Sequence, residues 1–222
     1  MASHEGTVEP GGASWVRDLG AATVRKCSVS EMDNNVYLIT CTASGARLLV
    51  DAADDSERVL ELLREGDGTT EVQQVLTTHQ HWDHHRALPE VVEATGATTL
   101  AGAEDADGLP VPVDRRLGHG DTVTVGELTL DVIALRGHTP GSIALALQVP
   151  DHPAVLVTGD SLFPGGPGKT NSRADFTSLM DDLEERVFDR FGDDTLVLPG
   201  HGDNTVLGEE RPHVQEWRDR GW

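Results

Sequence analysis

Residues 78–85 read Thr-His-Gln-His-Trp-Asp-His-His, directly after the β-rich run 72–77. No other stretch constrains the fold as much. Side chains of an extended chain alternate with period two, so His79 and His81 point the same way off the end of a strand. Asp83 and His84 follow as the chain turns toward a helix. Four metal-competent groups are thus delivered within six residues at the C-terminal edge of a strand. A carboxylate among imidazoles suits Zn, Fe or Mn rather than a soft thiolate site. Solvated surface histidines do not account for this spacing after a β run.

Three further positions repeat the arrangement. His138 stands in Arg-Gly-His-Thr-Pro-Gly-Ser after the strand pattern 128–135. Asp160 follows the pattern 154–158, and His201 follows 195–198 in Leu-Pro-Gly-His-Gly. Each sits where a strand ends in a glycine-bearing turn, and glycine lets backbone approach closely, as a crowded ligand shell requires.

Around these positions the chain alternates strand and helix patterns. The runs 15–19, 23–29, 36–42, 47–50, 72–78 and 98–101 read as strands in the first half, and 122–125, 128–135, 143–149, 154–158 and 195–198 in the second. Helical spacing appears at 56–65, with Ser56 as N-cap and Gly66 as stop, at 86–95, at 174–188 and at 208–217. Strands followed by helices, twice over, indicate an α/β fold of two sheets packed face to face with helices outside. Residues 1–12 are polar and Gly-rich and are expected to form a flexible N-terminal tail, with a single domain over 13–222.

The chain has 222 residues, long enough to bury a sizeable core, and a net charge of −21 from 17 basic and 38 acidic residues. Such acidity argues against nucleic acid and against anionic membrane surfaces as partners, because both need clustered Lys and Arg. No apolar stretch approaches the roughly 18 residues of a membrane span. The N-terminus lacks a basic segment followed by an apolar one, so no signal peptide is expected and the protein is expected to be cytoplasmic. Cys27 and Cys41 lie in strand runs and read as two reduced thiols, with a bridge between neighbouring strands as the alternative.

The ordered set His79, His81, Asp83, His84, His138, Asp160, His201 resembles the metallo-β-lactamase-fold hydrolase superfamily. Within it the chain is similar to the short glyoxalase II-like (hydroxyacylglutathione hydrolase-like) branch. The resemblance runs from Asn35-Val36-Tyr37 and Leu49-Val50-Asp51 to Gly200-His201-Gly202. It implies an αββα sandwich of two mixed β-sheets, with two divalent metal ions, zinc first and iron or manganese as alternatives, at the sheet edges. His79, His81 and His138 would bind one ion, Asp83, His84 and His201 the other, and Asp160 both. Asp51 would stand beside the ligands and not among them. Such ions lower the pKa of a bound water from 15.7 toward about 7, which supplies a nucleophile at neutral pH. The implied enzyme is a metallo-hydrolase that cleaves a thioester or related ester of a small molecule, such as a low-molecular-weight thiol ester. Asp83 would also orient the nucleophile or accept its proton.

Two alternatives share the pattern. Persulfide dioxygenases use one Fe(II), which His79, His138 and Asp160 would hold as a facial triad. Their Gly-Cys-Gly-Arg-Thr-Asp-Phe stretch is replaced here by Gly-Pro-Gly-Lys-Thr-Asn, from Gly166 on. Lactonases share the full ligand set. Asp160 counts against true β-lactamases, which lack it. A metal-binding protein without catalysis is the third class, and a full ligand set disfavours it. Full-length glyoxalase II enzymes carry a C-terminal helical glutathione-binding domain, and only about 20 residues follow His201 here. The thiol carrier is therefore open.

In the loop 164–173, Lys169 is one of two lysines. The Walker phosphate-loop pattern fails there, since Phe163 stands where its first glycine belongs. Lys169, with Asn171 and Arg173, is expected to contact an anionic substrate. His85 is expected to point away from the ligands, at the surface or behind them; with Arg86 it replaces small residues common in the family. His4, His119, His152 and His213 read as solvated.

Overall fold

Alternate residues of the strand Leu48-Leu49-Val50 enter two different cores. Leu48 and Val50 join an apolar cluster that also holds Leu145, Val157 and Leu198, while Leu49 joins one that holds Val59, Leu62, Leu88 and Val91. A strand with apolar residues on both faces must be covered on both faces. In the computed structural model, which describes residues 6–221, both covers are in place.

The first sheet consists of β1 (Trp15–Asp18), β2 (Ala22–Val29), β3 (Asn34–Cys41), β4 (Arg47–Val50), β5 (Gln74–Thr77), β6 (Thr98–Gly102) and β7 (Arg115–Leu117), in that order. It is antiparallel through β4 and parallel from β4 to β7. The second sheet contains β8 (Thr122–Val125), β9 (Leu128–Ala134), β10 (Ile143–Leu147) and β11 (Val155–Gly159). A small hairpin, β12 (Leu162–Phe163) and β13 (Gly166–Pro167), precedes its last strands, β14 (Leu196–Pro199) and β15 (Thr205–Val206). Its order is β15-β14-β11-β10-β9-β8, with β11 and β14 parallel. Inner faces of both sheets share one core. Helices α1 (Ser56–Arg64) and α2 (Leu88–Thr95) cover the first sheet. Helix α3 (Arg173–Leu183), a π turn over Glu184–Phe188, α4 (Leu207–Glu210) and α5 (Val214–Arg220) cover the second. This is the expected αββα sandwich of two mixed sheets.

The differences from expectation are local. Asp55, not Ser56, caps α1: its carboxylate accepts from the Arg58 amide, and Ser56 is the first helical residue. The pattern 86–95 becomes helical only at Leu88, because the preceding residues turn around the histidines. The segment 174–188 widens from α to π after Leu183. The closing segment is broken at Pro212, whose ring lacks an N–H, and then runs on to Arg220. Strands β7, β12 and β13 have two or three residues each, too few to show a period. Cys27 and Cys41 are buried free thiols. Of the stretch 1–12, residues 6–12 are described, and they touch the body: the Gly6 carbonyl accepts from Lys26 and the Gly11 amide donates to Ser28. No described helix is long and apolar enough to cross a membrane.

Candidate metal centre

All seven anticipated side chains meet at one edge of the sandwich. His79 and His81 leave the end of β5, and a single 3₁₀ turn, Trp82–His84, swings Asp83 and His84 in behind them. His138 follows β9, Asp160 follows β11 and His201 follows β14. The imidazole centroids of His79, His81 and His138 lie 4.5–4.9 Å apart. His84 Nε2 is 3.1 Å from His201 Nε2 and 3.3 Å from Asp160 Oδ1. His201 Nε2 is 3.3 Å from Asp83 Oδ2 and 3.4 Å from Asp160 Oδ2. His138 Nε2 is 3.5 Å from Asp160 Oδ2. Three groupings have ligand atoms close enough to share an ion: His79/His81/His138, His79/His84/Asp160 and Asp83/His84/His201.

Glycine makes the crowding possible. A Cβ on Gly200 would meet Asp160 Oδ1 at 2.1 Å and His84 Cε1 at 2.7 Å. One on Gly168 would meet the Asp160 carbonyl oxygen at 1.7 Å. The Asp160 carbonyl is backbone, and the Asp160 and His84 side chains are themselves packed into the cluster.

The rings are aimed by bonds on their far sides, as metal-binding histidines are. His138 Nδ1 donates to the Lys169 carbonyl at 2.7 Å and His201 Nδ1 to the Met32 carbonyl at 2.8 Å. His84 Nδ1 donates to Asp51 Oδ2 at 3.0 Å. Thr78 Oγ1 lies 3.0 Å from His79 Nδ1 and donates to the same Asp51 oxygen at 2.8 Å. Asp51 is therefore behind the cluster, as expected, and reaches two of its histidines. Inside the cluster, His79 Nε2, His138 Nε2 and Asp160 Oδ1 are buried without a hydrogen-bond partner. Buried polar atoms rarely go unpaired. Two lone pairs and a carboxylate oxygen converging on one space form a cation seat, so the residues fit metal ions.

Electrostatics divide the cluster. Burial, then the charge of His84, holds His79 well below the usual imidazole range, and burial also lowers His138. Burial opposes charge on His84 too, but the Asp160 carboxylate beside it and the hydrogen bond to Asp51 overcome it and raise His84 to about 10. Against the same opposition, Asp160 and Asp83 raise His201 to about 9. Burial works against both carboxylates. The His201 and His84 imidazoles beside it nevertheless hold Asp160 far below the carboxylate range, and His201, His84 and Asn34 do the same for Asp83.

Several contributors are absent from the sequence reading. Asn34 Nδ2 donates to the backbone oxygen and to Oδ2 of Asp83, at 3.0 and 3.1 Å. Asp105, fully buried just past β6, accepts from the Gln80 amide at 2.9 Å and the Gly141 amide at 2.7 Å, and from the Thr139 hydroxyl. It thereby ties the His79–His81 turn to the His138 loop. The one available signal was its place at a strand end. His85 is buried, and its Nε2 donates to the Gln80 carbonyl at 3.0 Å, so it stands behind the cluster. Lys169 reaches the cluster through its carbonyl, with its side chain exposed; Asn171 and Arg173 are exposed in the same loop and at the start of α3. His119, His152 and His213 are exposed, and His4 lies outside the described residues.

The metallo-beta-lactamase superfamily model matches residues 29–201, which hold every member of the cluster. The chain belongs to this superfamily. It is 36% identical over 166 residues to the hydroxyacylglutathione hydrolase of Polaromonas sp., covering 74% of this chain and 60% of that protein. The chain spans about half to three-fifths of the length of the curated relatives it matches. Among solved structures, ETHE1 from Myxococcus xanthus superposes with a TM-score of 0.74 at 32% identity, covering 86% of this chain and 82% of that one. TTHA1623 in a di-iron-bound form superposes with a TM-score of 0.65 at 28% identity, covering 84% and 96%. The two-sheet frame is what brings His84, from the end of the first sheet's β5, against His201, from the end of the second sheet's β14.

Proposed function

We propose that the chain is a metal-dependent hydrolase of small thioesters, with two divalent ions, zinc first and iron or manganese as alternatives. His79, His81 and His138 would hold one ion and Asp83, His84 and His201 the other, with the Asp160 carboxylate available to both. The observation that carries this reading is the set of inward-facing, unpartnered atoms of His79, His138 and Asp160 beside a second complete grouping. Similarity to proteins named hydroxyacylglutathione hydrolase supports the thioester, and similarity to a di-iron-bound structure supports two ions.

When bound, the ions supply Lewis acidity, both to activate a water and to stabilise charge on a carbonyl oxygen. The chain's residues do the rest. Asp83 is held as an anion, so it is a weak base; it acts chiefly by accepting a hydrogen bond that orients the attacking water. Asn34 keeps its carboxylate in place. A thiolate leaves without a strong general acid, and a thioester therefore suits this site. Lys169, Asn171 and Arg173 offer cationic and polar contacts for an anionic thiol carrier. The partner is a small molecule and neither nucleic acid nor a membrane, and the protein acts in the cytoplasm.

The three unpartnered atoms also belong to the set that would hold a single Fe(II) in a persulfide dioxygenase. Metal analysis of the purified protein, with thioester, lactone and persulfide assays, separates the readings. Two ions with thioester turnover are expected. One iron with persulfide-dependent O₂ uptake overturns the hydrolase, and turnover of lactones alone makes it a lactonase.

A further inference from the structure

Lys26 is fully buried on the inner face of β2. A buried ammonium is costly unless it is fully bonded, and a carboxylate is its usual partner. Burial lowers Lys26 to about 8 against the favourable charge of Asp203, yet no described carboxylate lies in ion-pair contact with it. Its Nζ instead donates to three neutral oxygens: the Gly202 carbonyl at 2.6 Å, the Gly6 carbonyl at 2.8 Å and Asn204 Oδ1 at 2.9 Å. Three N–H bonds thus meet three acceptors. Two of the acceptors lie in the segment just after His201.

That segment is gripped from the opposite sheet. Lys26 pairs with Tyr37 across β2 and β3. The Tyr37 hydroxyl donates to the Pro199 carbonyl at 2.6 Å, and Asn35 Nδ2 donates to the carbonyls of Pro199 and Gly202 at 2.9 and 3.0 Å. The Asn35 amide donates to the Gly200 carbonyl. The carbonyls on both sides of His201 are therefore held by β2 and β3, and the Gly202 carbonyl takes two donors. An apolar residue in place of Lys26 would leave that carbonyl to Asn35 alone and the Asn204 oxygen unpaired.

We propose that Lys26 is a positioning residue for the second ion: through the Gly202 carbonyl it sets where His201 stands against Asp83 and His84. This rests on reading His201 as a ligand. The test is a Co(II) titration of the metal-stripped full chain, read by the visible absorption of each filled site. Wild type is expected to take two equivalents. Lys26→Met is expected to take the first within twofold of wild type and the second at least tenfold more weakly. Lys26→Gln, which keeps N–H donors but is too short to reach all three acceptors, should fall between, and it carries the test if Lys26→Met does not fold. An unchanged second equivalent, a parallel loss of both, or a wild type that takes only one overturns the assignment. A wild type that takes two Co(II) yet leaves thioesters intact breaks the hydrolase reading alone and leaves Lys26 standing.

Discussion

The two halves of the candidate metal centre reach the same ligand chemistry in opposite states. At neutral pH His79 and His138 are uncharged, and their Nε2 atoms face the centre with no partner. His84 and His201 hold their protons up to about 10 and about 9, because Asp51, Asp83 and Asp160 surround them. One half waits open for a cation. The other keeps protons where a cation would stand, although His84 Nε2 and His201 Nε2, 3.1 Å apart, leave room for a single proton between them. Protonated His84 and His201 offset part of the charge of Asp51, Asp83 and Asp160. The cost is that metal must displace protons from that half and not from the other.

The sharpest break of this comparison is to remove one ligand from the protonated half. His84→Ala is expected to lower thioester turnover by more than about a hundredfold, since even the groups behind metal ligands are worth about 10–100-fold. Bound metal should fall from two ions to one. A variant that keeps two ions would show that His84 is no ligand.

Raising the pH should separate the halves without mutation. Each proton that metal must displace makes apparent affinity rise about tenfold per pH unit, so two give up to about a hundredfold. The second ion should bind more tightly from pH 7 until His201 and His84 have titrated, at about 9 and about 10. The first should change far less, because His79 and His138 are already neutral there. The sign for stability is opposite. His84 is raised in the folded state, so its contribution is complete below about pH 6.5, the free imidazole value, and is lost as pH rises through about 10. Metal-stripped protein should therefore lose thermal stability toward alkaline pH, and metal-loaded protein should lose less. Calorimetric metal titrations at several pH values, with melting curves of both forms, read this; equal pH slopes for the two ions would erase the distinction.

Asp51 joins the halves, and its removal should blur them. Its Oδ2 bonds His84 directly and His79 through Thr78. Asp51→Asn keeps the shape and loses the charge. Affinity is expected to drop about 10–100-fold, the usual worth of a carboxylate behind a metal-binding histidine. Both ions should weaken, the second more, since His84 is the direct partner. Loss confined to one ion would mean that the Thr78 link transmits nothing.

The clustered side chains were legible in the sequence for one physical reason: a strand end followed by a glycine turn is a local pattern, and a sandwich brings such ends to one edge. The sheets and most helices were legible from the same local periodicity. What escaped notice depends on distant contacts or on too few residues. Lys26 meets Gly202 across 176 positions and Asn34 meets Asp83 across 49. Asp105 meets Thr139 across 34. Asp33-Asn34-Asn35 carries turn chemistry in any context, and nothing local says that Asn34 will hold a ligand. The α1 cap was misplaced by one residue because Asp54, Asp55 and Ser56 all have capping side chains and only the backbone decides among them.

The smallest expected effect concerns the rim and not the halves. Lys169 has two separable roles. Its carbonyl fixes the His138 ring, and this survives substitution because it is backbone. Its side chain is exposed beside the cluster, where a cation attracts an anionic carrier only through water-screened charge. Lys169→Ala should therefore raise KM for an anionic thioester about two- to fivefold, the scale of an exposed ion pair. The kcat and the metal content should stay unchanged. Added salt should shrink the difference, and an uncharged thioester should show none. If KM does not move, the loop presents only its backbone to the site. If kcat falls instead, the substitution has disturbed the carbonyl that aims His138, and the open half of the centre depends on this loop's conformation.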